Sequence, residues 1–373
     1  LDSRDERDSP RGRIYLIKQM LETGGAGEAT RTHLDRCLTC RNCETTCPSG
    51  MRYGELLDIG RGLIESEAPR TMPARLLRTM LRTVLARPAL LAPFFALGRL
   101  ARPLLPDVLQ RRIPIALVTD NIPVNTHTRR MIILEGCVQK AATPGTNAAA
   151  RRVLDRLGIS LVDAPQAGCC GALDYHLAAH EAGLDNMRRN IDAWWPLIEN
   201  GAEAIISSAS GCGVTLRDYG HLLANDAQYA ERARRVSAMA RDLGEIVATE
   251  DLTALVTGER PGPVAVHTPC TLQHGQGLPG LLEDILQRSG FELAPTRDDH
   301  LCCGSAGTYS VLQPARARRL GARKAAALNS GQPAVIATAN IGCQMHLGVA
   351  AQVPVVHWIE LLDTGHAGGQ SGS

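Results

Sequence analysis

Eight cysteines form two matching sets: Cys137, Cys169-Cys170-Gly171 and Cys212, then Cys270, Cys302-Cys303-Gly304 and Cys343. In each set 31 residues separate the first Cys from the pair, and 41 or 39 more lead to the last. The chain has twelve cysteines, so this pattern accounts for most of its thiols. Thiols of this number and spacing suit metal ligation or thiol redox chemistry. A lone buried Cys is usually a small apolar core residue, but a paired Cys-Cys-Gly repeated at one offset is poorly explained that way. Adjacent cysteines do not readily close a relaxed disulfide with each other. Spacing alone does not choose among a cluster, a zinc ion and a reactive dithiol.

The other four cysteines read C-L-T-C-R-N-C-E-T-T-C-P, with Cys37, Cys40, Cys43, Cys47 and then Pro48. This is the bacterial ferredoxin run, whose first three thiolates bind one [4Fe-4S] cubane and whose fourth serves a second cluster. Pro48 can start a helix that carries the chain away. A zinc knuckle is the plainer alternative for four close cysteines, but it has no need of the third spacing or the trailing proline. A two-cluster module needs another such run. None is present, so it is expected upstream of Leu1, and residues 1–70 would be the second half of a ferredoxin-type module.

Elements that could position the repeated thiols alternate in type. Short apolar runs at 131–135, 159–163 and 204–208 precede Cys137, the Cys169 pair and Cys212; runs at 264–267, 291–293 and 334–338 precede Cys270, the Cys302 pair and Cys343. Stretches 146–157, 177–199 and 313–330 have helical spacing. Strand–helix alternation predicts an α/β fold with parallel strands and right-handed crossovers. Ligands gather at the carboxyl ends of such strands, where glycines such as Gly168, Gly171, Gly211, Gly304 and Gly342 let backbone approach an inorganic group. The expected plan is an incomplete helical ferredoxin-like module at 1–70, an Arg/Leu-rich connector at 71–128, duplicated α/β domains at 129–245 and 246–362, and a Gly/Ser-rich flexible tail at 363–373.

Composition narrows the function. A net charge of +2, 21% charged residues and only three Trp, six Tyr and three Phe give no basic, aromatic surface for nucleic acid. The apolar stretch 88–98 is shorter than the ~20 residues needed to cross a bilayer, and no signal peptide is legible, so a reducing cytoplasm is expected. Gly275, Gly277 and Gly280 spell G-x-G-x-x-G, but Pro279 and the distance from the preceding strand make it a chance match. No nicotinamide, flavin or nucleophile-elbow motif is visible, and no residue is assigned a catalytic role. His267, His274 and His300 lie near the second set of thiols, with His267 the preferred candidate for a ligand or proton relay. In the connector, Arg75, Arg78, Arg82, Arg87, Arg99, Arg102, Arg111 and Arg112 sit among leucines. They could face anionic lipid or a partner subunit, or belong to a connector packed on its own protein.

The Cys-Cys-Gly repeat resembles the cysteine-rich domain shared by heterodisulfide reductase subunits, lactate utilisation proteins, the small subunit of anaerobic glycerol-3-phosphate dehydrogenase and the glycolate oxidase iron–sulfur subunit. Asp8-Ser9-Pro10-Arg11-Gly12-Arg13-Ile14-Tyr15, His33-Leu34-Asp35-Arg36 and the following cysteine run are most similar to the last of these. The resemblance implies an electron-transfer subunit taking electrons from FAD-containing subunits that oxidise glycolate to glyoxylate. It would pass them through [4Fe-4S] clusters, two in the complete ferredoxin module and others in the Cys-Cys-Gly domains, toward a membrane or quinone-linked acceptor. The expected location is cytoplasmic and peripheral to the inner membrane face. Cys137, Cys169, Cys170 and Cys212 would form one site, and Cys270, Cys302, Cys303 and Cys343 the other. Heterodisulfide reductase relatives carry an additional Cys where this chain has Thr215 and His346, which points to four-thiol rather than five-thiol sites. Sister readings are a lactate or glycerol-3-phosphate dehydrogenase subunit; rivals are a thiol–disulfide reductase and a zinc-stabilised scaffold.

Overall fold

The computed structural model describes residues 5–25, 27–106, 110, 113–114, 121–256 and 260–363. Arg111, Arg112 and the tail from Thr364 lie outside these residues.

The N-terminal part is helical. Ser9 caps the Pro10–Thr23 helix by accepting from the Gly12 amide, Pro10 opens it, and Gly24 at φ 65° closes it. This helix packs with Glu28–Asp35 and Tyr53–Glu67 around Ile17, Met20, Leu34, Tyr53, Leu57 and Ile64. Cys37 and Cys43 lie against that core.

Two parallel sheets follow. The first is ordered β2-β1-β3-β4, from β1 (Arg129–Leu134), β2 (Ile159–Val162), β3 (Ile205–Ser207) and β4 (Ala240–Asp242). The second is ordered β5-β6-β7, from β5 (Val264–His267), β6 (Val335–Thr338) and β7 (Val355–His357). Every pairing is parallel, and strand sequences such as MIIL read as unbroken apolar runs because both faces are covered. The strand expected at 291–293 shrinks to one bridge between Leu293 and Val264. Pro295, two residues on, has no N–H to extend the ladder. The expected helices appear as Pro144–Arg156, His180–Glu199 and Pro314–Asn329.

The copies share one core. Met131, Val153 and Ile246 from the first copy join Val264, Ile285 and Trp358 from the second in a single buried cluster. Each copy ends on a short helix lying against the other: Leu243–Thr249 packs on Leu281–Arg288, and Trp358–Leu362 on Pro144–Arg156. Glu360 joins the second of these contacts, accepting from the Thr146 hydroxyl at 2.5 Å and the His357 amide at 3.2 Å. Burial pushes its carboxyl up to about 7 from the usual 4.5, against the lowering effect of the Thr146 hydrogen bond. The folded chain thus holds a proton that the unfolded chain releases, and stability falls as pH rises from about 4.5 to about 7. Glu360→Gln removes the titration and can keep both contacts, with its oxygen accepting from the His357 amide and its NH2 donating to the Thr146 hydroxyl. It is expected to match the native chain in melting temperature near pH 5 and to exceed it at pH 8, by on the order of 2 kcal/mol after discounting for solvent access. Parallel melting curves that keep the same separation from pH 5 to 8 would remove this group from the pH dependence.

The connector holds Met72–Leu85 and Pro88–Ala101. Arg82 Nε donates to Asp174 at 2.6 Å, Arg78 to Asp35 at 3.2 Å, and Arg99 to the Ala142 carbonyl. These arginines fasten the connector to its own protein, while Met72, Leu76, Phe94, Leu97 and Leu100 are exposed. No single helix among the described residues is long and apolar enough to cross a membrane; Met72–Leu85 and Pro88–Leu104 reach that apolar length only together and meet at a bend of 87°.

Candidate metal centres

The cysteines of each copy sit just beyond the strands. Gly136, at φ 74°, turns the chain from β1 into the Cys137–Ala142 helix, and β3 leads into the Ser210–Leu222 helix that carries Cys212. In the second copy β5 leads through Thr268 and Pro269 to Cys270, and β6 leads into the Ile341–Gly348 helix that carries Cys343. The paired cysteines occupy loops ending in Gly171 and Gly304, at φ 91° and 87°.

Each set converges. Cys137 and Cys169 sulfurs are 3.7 Å apart, and Cys170 interacts with Cys212. Cys270 and Cys302 are 3.9 Å apart, and Cys303 and Cys343 3.1 Å. All twelve cysteines are free thiols. Hydrogen bonds from Cys137 and Cys170 draw Cys169 down, and bonds from Cys270 and Cys303 draw Cys302 down. The donors Cys137 and Cys270 are pushed up correspondingly. Cys343 is likewise lowered, first by the Cys303 hydrogen bond and less by the nearby His267 imidazole. The Gly304 amide donates to Cys302 Sγ at 3.4 Å. So many thiols crowded together in apolar surroundings cannot all ionise unless a cation offsets their repulsion, and the donor set fits a thiophilic metal.

In the ferredoxin run, Thr39 and Arg41 have φ of 54° and 57°, folding the loop so that Cys37, Cys40 and Cys43 interact. Burial, then Cys302, pushes Cys40 up to about 12, and burial pushes Cys43 up to about 11. Cys47 stands apart and is drawn down by the Met51 and Ser49 amides. Arg61 clamps the loop, donating to the Leu34 and Cys37 carbonyls at 3.1 and 3.0 Å and to Thr39 Oγ1 at 3.1 Å. Tyr53 donates to Cys37 Sγ at 3.8 Å. No local sequence signal marked Arg61 or Tyr53, because both act on the loop from a neighbouring helix.

The three thiol sets open onto one cavity of about 700 Å³, whose lining includes Cys37 and Cys40 and all eight repeated cysteines. Cys43 and Cys47 are not among its lining. Cys40 lies within electrostatic reach of both Cys270 and Cys302. The module is held between the copies, with Arg41 bound to Asp218 of the first, and Tyr309 of the second donating to the Arg36 carbonyl at 3.3 Å.

The positions of the additional Cys in relatives are otherwise engaged: Thr215 donates to the Gly211 carbonyl, and His346 Nε2 meets the Ala317 carbonyl at 3.0 Å. His274 Nδ1 meets Thr45 Oγ1 at 3.0 Å, and His300 is exposed. Gly275 closes a π-turn, Thr271–Gly275, so the G-x-G-x-x-G match has no strand-to-helix phosphate turn around it.

Comparison with known proteins agrees with this arrangement. A cysteine-rich domain model matches residues 131–217 and again 264–348. The glycolate oxidase iron–sulfur subunit of Escherichia coli is 54% identical over 96% of this chain and 88% of its own length. The chain belongs to the glycolate oxidase iron–sulfur subunit family. A probable member from Bacillus subtilis is 28% identical, again over 96% of this chain and 88% of its own length. Lactate utilization protein A of Geobacillus thermodenitrificans is 25% identical over 57% of this chain and 89% of its own length. A hypothetical protein from Helicobacter pylori shares the fold, with TM-score 0.54, 9% identity, and coverage of 94% of this chain and 67% of that one. Within this family, therefore, the duplicated thiol sets belong to two cysteine-rich domains.

Proposed function

We propose that this chain is the iron–sulfur electron-transfer subunit of a glycolate-oxidising complex. The observation that carries the proposal is the convergence of three cysteine sets on one cavity, with Cys40 within electrostatic reach of Cys270 and Cys302. Conversion of glycolate to glyoxylate releases two electrons and two protons. FAD-containing subunits would carry out that step, and this chain would move electrons toward a membrane or quinone-linked acceptor. Cys37, Cys40 and Cys43 would hold one [4Fe-4S] cluster and Cys47 would serve another. Cys137, Cys169, Cys170 and Cys212, with Cys270, Cys302, Cys303 and Cys343, would hold further centres. Clusters bound there supply one-electron redox steps. The chain contributes thiolate ligands, hydrogen bonds to sulfur from Tyr53 and Gly304, and a largely buried, mainly apolar setting, all of which tune potential. Twelve free cysteines fit a reducing cytoplasm, with the chain peripheral to the membrane.

The Cys303 to Cys343 distance of 3.1 Å also favours a dithiol–disulfide centre in the second copy. One experiment separates the readings: iron and acid-labile sulfide per chain, with EPR of the reduced state, in anaerobically purified protein and in a Cys169→Ser, Cys302→Ser double variant. The expected result is a fall in iron with loss of some EPR signals while others persist. Unchanged iron in the double variant would leave the repeated thiols to thiol redox chemistry. Zinc in place of iron would sink the electron-transfer reading. Copurification of a glycolate-oxidising flavoprotein, rather than one acting on lactate or glycerol 3-phosphate, tests the substrate.

A further inference from the structure

Among the positions near the thiols at which the two copies differ, one pairs an aliphatic residue with a histidine. Leu134 ends β1 three residues before Cys137, and His267 ends β5 three residues before Cys270. Leu134 packs in an apolar cluster with Cys170. His267 is 0% exposed, yet neither ring nitrogen has a hydrogen-bond partner. Leaving buried polar atoms unpaired costs about 1–3 kcal/mol each, and the first copy shows that an aliphatic side chain can fill the equivalent place. Thr338, in register with His267 on β6, also has a buried hydroxyl without a partner. The orphaned imidazole is not isolated from donors: one of its nitrogens and the sulfurs of Cys303 and Cys343 all lie within 4.8 Å of one another. A neutral nitrogen and two thiolates are a donor set for iron or zinc.

We propose that His267 supplies a nitrogen ligand to the metal centre of the second copy, on the same metal ion as Cys303 and Cys343, so that the two copies hold chemically different centres. This rests on the reading that the repeated cysteines bind metal. An imidazole ligand brings no negative charge, whereas a thiolate does, and histidine ligation raises the potential of an iron–sulfur centre. Both copies offer four cysteines, so a histidine ligand in the second sets its centre apart chemically from that of the first. The second is also the copy whose Cys270 and Cys302 are reached by Cys40 of the ferredoxin run.

The test uses the whole chain, purified anaerobically after labelling with ¹⁵N-histidine, and reads nitrogen hyperfine coupling by pulsed EPR in the reduced state. His267→Leu reproduces the first copy's residue, and His267→Cys offers a thiolate in its place; circular dichroism checks that both fold. The expected result is a strong histidine coupling in the native chain that is absent from both variants. In His267→Cys the second-copy signal should remain and shift to a lower potential. A second-copy signal without strong histidine coupling, or a coupling that survives His267→Leu, overturns the assignment. Metal content unchanged in a Cys302→Ser, Cys303→Ser chain overturns instead the reading that these cysteines bind metal, and the assignment falls with it.

Discussion

Gly304→Ala is expected to strip metal from the second copy and lower the melting temperature by roughly 5–10 °C. Two costs combine. Gly304 has φ 87°, a conformation that strains any residue with a Cβ by about 1–3 kcal/mol. A Cβ built there would also lie 2.8 Å from the Ala317 carbonyl oxygen and 2.9 Å from Leu320 Cβ, both on the Pro314–Asn329 helix. Backbone cannot yield as a flexible side chain can, and overpacking of this kind adds about 1–3 kcal/mol. Relief would require the loop to move off the helix, taking with it the Gly304 amide that donates to Cys302. Gly171 repeats the geometry, at φ 91° with a Cβ 2.6 Å from the Gly183 carbonyl oxygen. Metal analysis and thermal melting of the alanine variants check this; native iron content and melting would mean that the third residue of the triplet is dispensable.

The second large effect is expected for Arg61→Met, which should remove the EPR signal of the ferredoxin run while leaving the repeated sites loaded. Met keeps much of the apolar stem but none of the donors that hold the Leu34 and Cys37 carbonyls and the Thr39 hydroxyl. Those acceptors hold a loop with two residues at positive φ, and unpaired they would each cost about 1–3 kcal/mol. Arg61→Lys restores charge without the planar fork, so partial recovery at best is expected. Full signal in Arg61→Met would show that the thiol loop is held by the core around Ile17 and Leu34 instead.

Much of this architecture is legible in the residues. Five of the six apolar runs before the repeated cysteines become β1, β2, β3, β5 and β6, the run 291–293 leaving a single bridge, and the Cys-Cys-Gly glycines, singled out for close backbone approach, take a left-handed conformation. Strands β4 and β7 escape notice because neither leads into a cysteine, and Ala240-Arg241-Asp242 carries no apolar run. The connector's arginines and leucines leave two readings open, charges facing lipid or a partner subunit, or a connector packed on its own protein. Acceptors at Asp35, Asp174 and Ala142 draw Arg78, Arg82 and Arg99 inward and turn leucines out. The meeting of three cysteine sets at one cavity depends on how the copies embrace the N-terminal module, which no local pattern encodes.

The exchange of terminal helices between the copies bears on how such a chain could arise. Trp358 and Ile359 are fully buried in the cluster that also holds Val153 and Leu154, and Ile246 and Val247 share it with Leu282 and Ile285. A solitary copy would leave both kinds of face bare, and trading the same helix with a second molecule of itself would cover them. Fusing two genes turns that symmetric pair into one polypeptide and frees the halves from being identical. After such a fusion one ancestral position can become leucine in one half and histidine in the other.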